Sequence, residues 1–76
     1  MFDWRDFEIA GNPLTPRERR VVRLLCSGLS NKVIADRLHI SISTVKHHLH
    51  VACMKRRVRN RTALAVKELA DGILRD

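Results

Sequence analysis

From Leu14 onward the apolar residues recur every three or four positions, the spacing of one face of an α-helix. Val21, Val22, Leu25, Cys26 and Leu29 form the first such stripe. Thr15 suits its N-cap, Pro16 its first helical position, and Glu18 completes a T-x-x-E capping box. Gly28 supplies the left-handed residue that ends the helix. Ser30 caps a second, shorter helix with Val33, Ile34, Ala35 and Leu38 as its apolar positions. His39-Ile40-Ser41 reads as a tight turn. Ser41 then caps a third helix, over about 42–56, on which Ile42, Val45, Leu49, Ala52 and Cys53 repeat. A fourth helix begins near Asn60 to Thr62 and carries Leu64, Ala65, Val66, Leu69, Ala70 and Ile73. The pattern predicts an all-α fold: a four-helix domain over 14–76, preceded by an arm or linker over 1–13.

The arm differs in character from the rest. It alternates acidic and apolar side chains (Phe2, Asp3, Trp4, Asp6, Phe7, Glu8, Ile9) and closes on Gly11-Asn12-Pro13, which is turn chemistry. All three aromatics of the chain lie in it, so the core from Leu14 onward is aliphatic.

Charge changes the picture most. Fifteen Lys and Arg against eight Asp and Glu give a net charge of +7 on 76 residues. A field of that sign attracts polyanions. No basic region followed by an apolar run opens the chain, and no apolar stretch approaches the roughly 20 residues of a membrane span. Cys26 and Cys53 read as reduced thiols packed as small hydrophobes, which places the chain in the cytoplasm. No carboxylate pair, glycine-rich phosphate loop or nucleophile with its base is visible, so no catalytic residue and no cofactor is expected.

Two short helices joined by a tight turn, the second long and basic, make a helix-turn-helix. The major groove of double-stranded DNA admits one helix, braced by its predecessor. Ile34, Ala35, Leu38, Ile40 and Val45 supply the bracing, while Lys46, His47 and His50 provide hydrogen-bonding groups on the outer face. The basic block after them offers Lys55, Arg56, Arg57, Arg59 and Arg61 as phosphate contacts.

Residues 14–62 resemble the LuxR-type helix-turn-helix of bacterial transcription regulators. The matching strings are Leu14-Thr15-Pro16-Arg17-Glu18-Arg19, Gly28-Leu29-Ser30-Asn31-Lys32 and Ile34-Ala35-Asp36-Arg37-Leu38. They continue through Ile40-Ser41, Ser43-Thr44-Val45-Lys46, His48 and Val58-Arg59-Asn60-Arg61-Thr62, without gaps. The resemblance implies a four-helix domain that binds DNA as a dimer through its last helix and regulates transcription. It places the base-reading positions on Lys46, His47 and His50. Thr44 and Lys32 match positions that approach phosphates, with Ser43 beside Thr44. His48 matches a position where a local structural role comes first and a phosphate contact second. Arg61 has a structural alternative too, a salt bridge to Glu18. A stripe of Ala63, Val66, Lys67 and Ala70 on the last helix is the expected dimer interface. The sequence departs from the family at two places. Arg56-Arg57 stand where Leu-Gly is usual, removing a core residue and the usual helix-ending glycine, and Val33 stands where Glu is common.

Other readings compete with this one. Lys46, His47 and His50 can be the solvated face of an amphipathic helix. His47, His50 and Cys53 share a face at metal-ligand spacing, but a zinc site wants four ligands from separated elements, and no metal is expected. The whole domain can instead be an interaction module that pairs with a larger regulator through the last helix or the aromatic arm, or a non-specific coat for nucleic acid. RNA polymerase or a larger regulator are further candidate partners; no small-molecule ligand is evident. The chain reads either as a complete minimal regulator, which Met1 and the arm favour, or as a piece of a larger one.

Overall fold

The computed structural model describes residues 11–72, so Ile73 and most of the arm lie outside the described residues. Four helices follow one another: α1 over Pro16–Cys26, α2 over Asn31–Leu38, α3 over Ile42–Arg56 and α4 over Arg61–Asp71. Among the described residues there is no strand.

Each helix begins where the sequence supplies an oxygen to its first free N–H groups. At α1 the Glu18 N–H donates to Thr15 Oγ1 at 3.1 Å and the Thr15 N–H donates to Glu18 Oε1 at 2.9 Å, the reciprocal capping box. Ser30, Ser41 and Asn60 cap α2, α3 and α4 in the same way, accepting from Val33, Thr44 and Ala63. The ends are less uniform. Gly28 leaves α1 with φ +85°, and the Leu29 N–H reaches back to the Leu24 carbonyl. His39 closes α2 and Arg57 closes α3, both left-handed, at φ 56° and 58°. Arg57 thus takes the conformation that glycine would adopt without steric cost, and α3 stops at Arg56 instead of running on.

The core gathers one stripe from each helix: Val21, Val22 and Leu25 of α1, Ile34 and Ala35 of α2, Val45, Leu49 and Ala52 of α3, and Leu64 of α4, with Leu14 at its edge. Leu38, Ile40 and Val58 pack against it from the turns. Two expected members do not join. Ile42 is 43% exposed and Leu69 is 50% exposed, because each sits at the border of its stripe, beyond the reach of the neighbouring helices. Val33, apolar where the family commonly has Glu, is 38% exposed.

Two acids are buried with the apolar core, and each holds a cation of α3. Lys55 Nζ donates to Glu18 Oε1 at 2.6 Å, with 11% and 8% of the two side chains exposed. Arg56 Nε donates to Glu68 Oε1 at 2.5 Å, and Glu68 is almost wholly buried. Glu18 therefore pairs with Lys55, and Arg61 reaches Asn31 Oδ1 and the Leu29 carbonyl instead. Where the resemblance leads one to expect a leucine, Arg56 makes an ion pair across α3 and α4.

Three outcomes follow. Arg57→Gly removes left-handed strain and raises stability by about 1 kcal/mol in urea unfolding. Arg56→Leu alone strands the Glu68 carboxylate and costs about 3 kcal/mol, whereas Arg56→Leu with Glu68→Leu is neutral or stabilising in the same assay. Burial by itself would raise the Glu18 carboxyl, but Lys55 and the Thr15 N–H and hydroxyl outweigh it and leave it below its ordinary 4.5. The stability it contributes is therefore present above pH 4.5 and lost as pH falls through the lower folded value. Melting curves of the wild type and Glu18→Gln should converge over that acid window.

Candidate nucleic-acid interface

The seam that orients α3 is Val45, fully buried, against the buried Ile34 and Ala35 of α2. With Val45 fixed inward, the helical repeat turns neighbouring positions outward. Ser43, Lys46, His47 and His50 are exposed and Thr44 is half-buried, all on the first two and a half turns of α3. Ser41 Oγ and Thr44 Oγ1 are 2.8 Å apart, so the hydroxyls at this end bond one another as well as the helix N-terminus. That leaves a helix start with N–H dipoles, hydroxyls and one lysine, which suits anionic phosphate.

His48 sits apart from its neighbours in role. It is half-buried, and burial pushes its imidazole below the usual range; Glu18 acts the other way, while His47 and Arg17 add to the lowering. Its ring centroid is 6.1 Å from that of His47. Its neutral form is favoured, and the Glu18 and Arg17 charges that act on it belong to α1.

The other sequence-derived positions fall into three groups. Lys32 is exposed in the first turn of α2, and Arg61, through Asn31 and Leu29, ties the start of α4 to the start of α2. Arg57 and Arg59 are exposed at the opposite end of α3. Lys55 points into the molecule and is held by Glu18. The Gly11 N–H donates to the Lys55 carbonyl at 2.9 Å, so Gly11 lies against this end of α3.

The described residues are predominantly basic. Residues 11–72 hold thirteen Lys and Arg and four Asp and Glu. Glu18 and Glu68 are buried in ion pairs, and Asp71 lies 3.8 Å from Lys67 on α4. Asp36 is exposed on α2. On α4, Val66, Lys67 and Ala70 are exposed and Ala63 is half-buried; Leu69 joins them. Among the described residues no group of three or more His, Cys, Asp or Glu converges as a metal site would require. Nor is any helix among them long and apolar enough to cross a membrane.

Sequence reasoning missed the two buried acids. Glu18 was legible as a capping residue, but its second partner lies 37 positions away. Glu68 carries no local signal: on an amphipathic helix an acid reads as solvent-facing, and only the unusual Arg56 hints at a buried counter-charge.

Comparison with known proteins bears on what such an arrangement serves. The chain matches the family described as bacterial regulatory proteins, luxR family, over residues 12–67. It is 47% identical over 55 residues to the nitrate/nitrite response regulator protein NarL of Escherichia coli (strain K12), covering 72% of this chain and 26% of the relative. It is 51% identical over 51 residues to the monoamine regulon transcriptional regulator of Klebsiella aerogenes, covering 67% of this chain and 22% of the relative. With the uncharacterized transcriptional regulatory protein YxjL of Bacillus subtilis (strain 168) it shares 37% identity over 67 residues, 88% of this chain and 31% of the relative. The chain spans between 22% and 31% of the length of these relatives. The family is one of transcription regulators, not a class of enzymes. The chain therefore belongs to the luxR family of bacterial regulatory proteins, and residues 12–67 form its DNA-binding helix-turn-helix domain.

Proposed function

We propose that this chain binds specific double-stranded DNA sequences as a homodimer and regulates transcription in the cytoplasm, with α3 lying in the major groove. The observation that carries the reading is the orientation of α3. Val45 is locked against α2, and Lys46, His47 and His50 are thereby presented together to solvent. Lys46 donates to guanine O6 and N7; the two histidines donate or accept according to tautomer. Ser43, Thr44 and Lys32 meet phosphates at the two helix starts, and Arg57, Arg59 and Arg61 meet them farther along the backbone. His48 and Lys55 serve the fold first, since one is half-buried and the other is paired with Glu18.

The dimer forms through Ala63, Val66, Lys67 and Ala70 of α4, where exposed apolar and small residues allow two copies to approach. Two-fold symmetry then sets the recognition helices about 34 Å apart, on half-sites one helical turn from each other. RNA polymerase or a larger regulator would act on the DNA-bound form.

Selection of bound fragments from random duplex tests the reading. It should enrich a motif with dyad symmetry, whose affinity falls with log salt at a slope of roughly −5 if about six phosphates are neutralised. Lys46→Ala with His50→Ala should lower affinity for that motif on the order of a hundredfold, while leaving the melting temperature and dimerisation intact. Unchanged affinity in the double variant, or no enrichment over random duplex, would sink the proposal.

A further inference from the structure

Ile42 is the first residue of α3, and it is 43% exposed. The seam that holds α3 does not use it, for the buried positions of the helix are Val45, Leu49 and Ala52. The N-cap does not use it either, since Ser41 closes the first turn through Thr44. A single exposed apolar residue is ordinary on a protein surface, so its position has to carry the argument. Residues 42, 46 and 50 are four apart, which sets Ile42, Lys46 and His50 in one row along the helix. All three are exposed. Side chains lean toward the helix N-terminus, so Ile42 extends the row ahead of Lys46. Four residues rise about 6 Å along the axis, close to two base-pair steps of about 3.4 Å. The leading residues of a groove helix are the ones that meet base edges. Among those edges one feature is apolar, the C5 methyl group of thymine.

We propose that Ile42 is a specificity residue that packs on a thymine methyl about two base pairs from the one met by Lys46. This rests on the reading of α3 as the groove helix. Ser41 and Thr44 bond each other, and the Thr44 N–H is capped by Ser41. Ile42 brings no donor or acceptor. It selects by covering the methyl group, which cytosine and uracil lack, and the row Ile42–Lys46–His50 thereby reads one apolar and two polar base features in register.

The test uses the full chain and the duplex recovered by selection, with each thymine replaced in turn by deoxyuridine. That exchange removes one methyl and leaves every hydrogen-bonding group in place. Wild type should lose about fourfold in affinity at one position per half-site, the worth of one buried methyl group. Ile42→Ser should bind the thymine and deoxyuridine duplexes alike, and Ile42→Val should keep the discrimination. Ile42 is exposed at a helix start, so both variants should retain the wild-type melting curve. Wild type indifferent to every deoxyuridine, or Ile42→Ser keeping the full penalty, overturns the assignment. Lys46→Ala separates this failure from that of the parent reading. If it distinguishes the selected site from a scrambled duplex as well as wild type does, α3 is not the reader, and both proposals fall.

Discussion

The orientation of α3 depends on its buried stripe, Val45, Leu49 and Ala52, which shares one core with Ile34 and Ala35 of α2 across the turn between the two helices. His39 takes a left-handed conformation there, and the Ile40 N–H bonds back to the Ala35 carbonyl. Those two features reverse the chain within three residues and let Ile40 pack on the core. Because an α-helix repeats every 3.6 residues, fixing Val45 inward fixes every other position of α3. Lys46, His47 and His50 then have no orientation available except outward. The exposed face of α3 is a consequence of the seam.

The far end of α3 is secured by different physics. Apolar packing gives way to two ion pairs, Lys55 with Glu18 of α1 and Arg56 with Glu68 of α4. Such pairs offset their desolvation only when the geometry is good and the partners are both present, which makes this end more sensitive to loss of a partner than to loss of charge. Each pair withdraws one acid together with one cation, so the net positive charge that would face a polyanion is left unchanged.

Much of this architecture was legible in the sequence because its determinants are local. Capping residues act within three positions, and the apolar stripe of each helix is set by its own periodicity. Thr15 with Glu18, Ser30, Ser41 and Asn60 all cap as their spacing implies. What was not legible depends on residues far apart in the chain. Nothing near Glu68 says that Arg56 will cover it, and nothing near Arg61 says that it will turn to Asn31 instead of Glu18. Ile42 and Leu69 failed for a related reason. Periodicity places a residue on a face, but only the neighbouring helices decide how far that face is covered. Without a glycine, α3 can end only by running on or by straining Arg57, and the left-handed Arg57 with the Val58 N–H bonded to the Cys53 carbonyl is the strained turn.

The central claim is that α3 meets DNA in the major groove. Methylation interference tests it directly, since dimethyl sulfate marks guanine N7 in the major groove and adenine N3 in the minor groove of the same duplex. With the selected site, the account predicts that N7 methylation of one or two guanines per half-site blocks binding, while N3 methylation of the adenines there is tolerated. Interference confined to adenine N3, with the guanines silent, would contradict it.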